Sequence, residues 1–193
     1  MNSLISGVDF TSPLLPDKLV NALYAAVALR PGASMGELAA LAGISRATLH
    51  RYCGTRNNLD SQLEQHAKKA LLQILGHIEL LSTQPLAAVH QLIEEHLDRG
   101  ELIMFLASRY PVHTKAQHEI GLPFYLEKLD GMFLNGQQQG VFRVDVSAML
   151  LTEMFVSLLH GAVDARQRGR MPRACRKMLE NTFLQGIATR PLD

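Results

Sequence analysis

The sequence predicts an all-α protein with a three-helix head and a larger helical body, about nine helices in all. Three observations carry this. Apolar residues recur at three- and four-residue spacing along most of the 193 residues. Cap and stop residues recur between those runs. A stretch from Ser34 to Leu59 has the grammar of two short helices joined by a tight turn.

The composition agrees with a globular chain. Hydrophobic residues make up 47% of it, too many for a disordered one. The net charge of +1 implies no nucleic acid by itself. Its distribution says more: residues 1–69 hold seven Lys/Arg against five Asp/Glu, and the remainder is slightly acidic. Two cysteines far apart, Cys53 and Cys175, suit a reduced, cytoplasmic chain better than a disulfide framework. No basic start followed by an apolar run reads as a signal peptide. No apolar run approaches about 18 residues, so no membrane span is expected.

Residues 1–15, with Ser6-Gly7 and Pro13, read as an arm without Lys or Arg. Asp17 is placed to cap a first helix that Pro31-Gly32 stops, with Leu19, Leu23 and Val27 on one face. Ser34 and Glu37 form a capping box for the second helix. Gly43 makes the turn, where a positive φ is cheap only for glycine. Ser45 caps a third helix that turns Arg46, Thr48, His50 and Arg51 outward and Leu49 and Tyr52 inward. Leu38, Ile44 and Leu49 form the shared small core. No acid lies between Glu37 and Asp60, whereas Arg46, Arg51 and Arg56 are basic, which suits a phosphate backbone.

This segment resembles the DNA-binding region of the TetR family of transcriptional regulators. Ser34, Leu38, Ala39, Ala42, Gly43, Ile44, Ser45, Leu49, Arg56 and Leu59 fall at matching positions by identity or close substitution. His50 stands where the family usually has a tyrosine that contacts phosphate, and Cys53 where an aromatic usually fills the core. Arg30-Pro31-Gly32-Ala33 replaces an aromatic-containing stretch. The resemblance implies that the helix from Arg46 to Tyr52 lies in the major groove, with Arg46 and Ala47 at base edges. Ser45, Thr48, His50, Arg51 and Arg56 would hold phosphates of double-stranded DNA. It also implies a homodimer on a palindromic operator, repression as the default, and release by a small apolar or amphipathic ligand.

Thr55 caps a long helix with Leu59, Leu63, Ala67, Leu71, Ile74, Ile78 and Leu81 at helical spacing, ended by Ser82-Thr83-Gln84-Pro85. Head and body are divided at 60/61, with this helix or its start shared between them. Helices follow over 86–99, ended by Gly100, and over 101–108; residues 111–118 read as a loop. The next helix carries Leu122, Leu126, Leu129 and Phe133 and closes at Gly136 or Gly140. Asp145 opens a strongly apolar helix to about Arg168, and Pro172 suits the first turn of the last one.

Those last two helices read as a dimer face through Met154, Leu158, Leu159, Ala162, Met178, Thr182 and Phe183, because a stripe this apolar is a liability on a monomer. Leu71, Ile74, Met104, Phe105, Tyr110, Phe124, Tyr125 and Met132 are the candidate lining of a ligand pocket, and a filled core gives the same pattern. His90 and Glu94 have the i, i+4 spacing of a metal pair, with Glu95 and His96 adjacent and His113 and His118 nearby; accidental spacing on a polar face is preferred, and no metal or cofactor is assigned. His160 and Asp164 read as an interface pair. Arg166, Arg168, Arg170, Arg173, Arg176 and Lys177 read as a solvated loop rather than a second nucleic-acid contact. No catalytic motif is evident. A DNA-binding protein of this build without an effector, and a helical enzyme with a structural helix-turn-helix, are the alternatives.

Overall fold

A computed structural model of the chain describes residues 15–109, 122–172 and 174–189. The expected arm before residue 15 and loop over 111–118, together with Tyr110, His113, His118 and Arg173, lie outside the described residues. Among the described residues there are nine helices: α1 (Asp17–Leu29), α2 (Met35–Leu41), α3 (Arg46–Cys53), α4 (Arg56–Glu79), α5 (Pro85–Asp98), α6 (Gly100–Arg109), α7 (Leu122–Gln138), α8 (Ala148–Gln167) and α9 (Arg176–Ile187). Within them the only β-type pairing is an isolated bridge between Phe142 and Ala188.

Three of the expected caps form. The side chains of Ser34, Ser45 and Thr55 each accept from the backbone N–H three residues on, at the starts of α2, α3 and α4. Three others move. Asp17 is the first residue of α1, after Pro16, and makes no cap hydrogen bond; its charge sits in the first turn, where the helix dipole favours it. Asp145 does not open α8: its carboxylate takes Arg143 Nε at 2.7 Å, and Ser147 caps the helix instead. Pro172 precedes α9 without entering it; the helix starts after buried Cys175, where Arg176 pairs with Glu180.

Gly100 begins α6 rather than ending α5. It is buried, and a Cβ there would stand 2.6 Å from an Arg166 Nη of α8. The bare backbone lets that guanidinium reach in, where Nη2 donates to Leu97 O at 3.0 Å. Gly136 has a similar role inside α7: its missing Cβ leaves room for the buried Phe142 ring.

α1 lies along α6, α8 packs on α7, and α9 packs on α5. The body core is aromatic at its centre. Phe133, Phe142, Phe155 and Phe183 are buried, with ring centroids 5.3–6.0 Å apart in tilted and edge-on pairs. The division at residue 60 falls inside the 24-residue α4, which runs from the head into the body.

α8 revises the expectation about apolar length. Its 20 residues, at mean hydropathy 1.3, are long and apolar enough to cross a membrane by length and composition. The cause is that it is apolar on two sides. Leu151, Phe155, Leu159, Ala162 and Val163 face the core, while Leu150 and Met154 are exposed.

Candidate nucleic-acid interface

The α2–α3 turn is built from backbone hydrogen bonds that close the end of α2. Gly43 N donates to Ala40 O at 3.1 Å and Ile44 N to Ala39 O at 2.9 Å. This is the paired C-terminal cap that needs a left-handed residue, and Gly43 supplies it at φ +73°. Ala39, fully buried, lets the helices approach; Leu38 and Leu49 are buried beside it and Ile44 is half-buried.

The far end of α3 is tied to α4 by two side-chain amides. Asn58 Nδ2 donates to Cys53 O at 2.8 Å, and Gln62 Nε2 to Tyr52 O at 3.2 Å. Both carbonyls belong to the last turn of α3, where they have no partner within the helix. Gly54, at φ +65°, then turns the chain into α4. The Cys53 thiol is buried in this joint, and burial pushes its pKa up to about 11. It is a packing residue at the position where the resemblance implies an aromatic. Tyr24 closes the other side, donating from its hydroxyl to Leu63 O at 3.0 Å while its ring stacks 4.6 Å from Phe105.

α3 is thus fixed at both ends, and its outer face is open. Ser45, Arg46, Ala47, His50 and Arg51 are exposed and Thr48 is half-buried. The Ser45 and Thr48 hydroxyls lie 2.9 Å apart, so they organise one another as well as the cap. Arg51 leans over the Tyr52 ring at 5.8 Å. Arg56 differs from the other candidates. Its Nε donates to Asp60 Oδ1 at 2.9 Å, Nη2 to Pro31 O at 3.0 Å, and Nη1 to Ala33 O. Each guanidinium nitrogen makes one bond inside the protein, a role beyond the phosphate contact expected of it from the sequence.

The chain is 45% identical to the HTH-type transcriptional regulator NfxB of Pseudomonas aeruginosa over 175 residues, covering 89% of this chain and 94% of that one. It belongs to the TetR family of transcriptional regulators. The HTH-type transcriptional repressor LfrR of Mycolicibacterium smegmatis is 30% identical over 88 residues, 46% of this chain and 47% of LfrR. No family model matches. The fold agrees. The ketosteroid transcriptional regulator KstR2 of Mycobacterium tuberculosis superposes at TM-score 0.71 with 15% identity, over 93% of this chain and 98% of KstR2. The TetR-like LfrR of Mycobacterium smegmatis, solved in complex with proflavine, does so at 0.60 with 22% identity, over 88% and 91%. The TetR-family chain is therefore a DNA-binding transcriptional regulator with an all-α body.

In this regulator the residues read as a ligand pocket separate into two groups. Leu71, Ile74, Phe105 and Tyr125 are buried in the core and packed there, and Met104 is half-buried against it. They fill space there: the Phe105 ring meets Tyr24, and the Tyr125 ring meets His96. Phe124 and Met132 do line a cleft, of about 680 Å³, between α4 and α7. Its other walls include Leu75, Ile78, Glu79, Glu127, Lys128 and Asn135. Phe124 is 49% exposed, and Lys128 lies between its ring, at 5.5 Å, and Glu79, at 3.4 Å.

The dimer residues separate in the same way. Leu159, Ala162 and Phe183 are buried within the protomer; Phe183 packs 5.3 Å from Phe155. Their helices present one side to the core, and that is the side these residues occupy. Met154, Met178 and Thr182 are exposed and Leu158 half-buried, with Leu150 and the exposed Gly161 and Gly186 on the same two helices. The metal-like pair is used otherwise: His90 Nδ1 faces Glu180 at 3.4 Å, and Glu94 pairs with Arg176, so both tie α5 to α9. Arg176 thereby leaves the solvated basic loop, and Arg166 does too, through Leu97 O. Asp164 pairs with Arg168.

Proposed function

We propose that this regulator is a homodimeric repressor that binds a palindromic operator and is released by a small amphipathic ligand. The observation that carries this reading is the reach of α4. One end of its 24 residues, about 36 Å of helix, braces α3, and the other end forms a wall of the cleft. A ligand that binds one placement of α4 better than another shifts the heads by that differential affinity. Arg46 and Ala47 read base edges; Ser45, Thr48, His50 and Arg51 fix register on phosphates. Two heads related by a two-fold axis fit half-sites about one helical turn apart or a little more.

The exposed Leu150, Met154 and Met178 and the half-buried Leu158 on α8 and α9 support the dimer, because burying them against a copy removes apolar surface from water. The ligand chemistry follows from the cleft walls. An exposed aromatic, aliphatic side chains, the carboxylates of Glu79 and Glu127 and the Lys128 ammonium suit a flat amphipathic ligand. LfrR in complex with proflavine is a neighbour in fold with such a ligand. A DNA-binding role supports a cytoplasmic regulator.

The test is selection of genomic fragments on purified protein across a salt series, followed by titration of the retained duplex with proflavine. One enriched palindrome bound by two protomers, and released by proflavine, is the expected result. Enrichment without release by proflavine or a panel of amphipathic cations would favour a regulator of this build that lacks a small-molecule effector.

A further inference from the structure

We propose that Arg56 is a positioning residue of the DNA-binding head: with Asp60 it clamps the α1–α2 turn onto α4 and so sets where the helix-turn-helix begins.

The geometry is a three-way fork. Nε meets Asp60 one turn along α4, while the two Nη groups reach the carbonyls of Pro31 and Ala33. Ala33 is buried and immediately precedes Ser34, the cap of α2. One backbone bond closes the turn, from Ala33 N to Arg30 O at 3.0 Å, and the Pro31 and Ala33 carbonyls both meet one rigid planar group, which an arginine serves and a lysine ammonium does not. Asp60 is in turn held from the body: Arg109 Nη2, at the end of α6, lies 3.3 Å from Asp60 Oδ2 and 3.7 Å from Glu64 Oε1. Asp60 therefore takes one cation of the head and one of the body, each on its own carboxylate oxygen. A side chain whose three nitrogens each bond within the protein in this way holds the backbone of the head.

The proposal rests on the operator reading and has a test whose sign is distinctive. Removing a carboxylate close to bound DNA tightens binding through electrostatics alone. If Asp60 orients Arg56, Asp60→Ala weakens it. Affinity is measured on the duplex fragments that wild-type protein enriches from sheared genomic DNA, well below the melting midpoint of each variant. Asp60→Ala and Arg56→Lys should each weaken binding about tenfold, as expected when hydrogen bonds to two carbonyls are lost or misaligned. The slope of log affinity against log salt should remain that of wild type, because no phosphate contact is removed. Asp60→Ala binding as tightly as wild type or tighter overturns the proposal, as does wild-type affinity in Arg56→Lys. A lowered melting temperature with unchanged affinity also overturns it, since that marks a merely structural pair. Wild-type protein that enriches no fragment removes the operator reading instead.

Discussion

His96 Nε2 accepts a hydrogen bond from the Tyr125 hydroxyl at 2.7 Å, joining α5 to α7 in the middle of the body. The direction is fixed by the other ring nitrogen. His96 Nδ1 lies 2.6 Å from Leu92 O, a carbonyl that can only accept, so the proton sits on Nδ1 and Nε2 is left as the acceptor. The Phe155 ring meets the imidazole edge-on at 5.8 Å. Both polar groups are buried and both are satisfied. Burial raises the Tyr125 phenol well above its usual range and pushes the His96 pKa down from 6.5 to about 4.

Acid should therefore unfold the body through His96. Its folded pKa lies below its unfolded one, so the stabilisation is whole above pH 6.5 and declines as pH falls toward about 4. The full loss is about 3 kcal/mol. Urea midpoints measured across that window should fall steeply for wild type and less so for His96→Gln, which has no proton to gain. Equal slopes would assign the acid sensitivity to other groups. Tyr125→Phe should cost about 1–3 kcal/mol at neutral pH by leaving Nε2 unpaired in the core.

Two glycines of α7 should respond to alanine in opposite directions. Gly136→Ala places a methyl 2.2 Å from the Phe142 ring, which is fully buried and has nowhere to go. It should lower stability by about 1–3 kcal/mol. Gly131→Ala, on the same helix with nothing within 4 Å, should raise it by up to about 1 kcal/mol through helix propensity. Thermal melts of the two variants check both signs.

The head was legible in the sequence because local chemistry decides it. The capping box, the glycine turn and the Ser45 and Thr55 caps each need only a few neighbouring residues, and each forms as read. The body was legible as helices but not as surfaces. Periodicity marks which residues share a face; it does not say whether that face meets the protomer core, a cleft or a second copy. Phe183 and Leu159 carry the same apolar signal as Met154, yet they lie on the inner side of their helices. His96 was read within a polar run that the fold turns inward. Charge and the family motif point Arg56 toward phosphate, and its partners Pro31 and Ala33 lie more than twenty residues away in the chain. A fork of that span leaves no local pattern.

The exposed residues of α8 and α9 give the proposed dimer a specific test. Met154→Glu combined with Met178→Glu places charges on the face outside the core, since both side chains are about half exposed in the protomer. The variant should sediment as a folded monomer with wild-type helicity, because no buried contact is removed. Phe183→Glu should unfold the protein, since that position is inside the aromatic cluster. A double variant that still sediments as a dimer would place the interface elsewhere.

Arg46 and Arg51 should separate reading from holding. Both are exposed on α3, but Arg46 stands in its first turn and Arg51 in its last. The first turn of a recognition helix approaches base edges, and flanking cations meet phosphates. Arg46→Ala should change which base is preferred at one position of each half-site, discriminated by about 1–3 kcal/mol in the wild type. Arg51→Ala should weaken every duplex alike and reduce the log–log salt slope by about one unit. Selection and sequencing on the two variants, with salt titration of each, distinguishes the outcomes: uniform weakening by Arg46→Ala would move that residue to the phosphate set, and an unchanged slope in Arg51→Ala would remove it from that set.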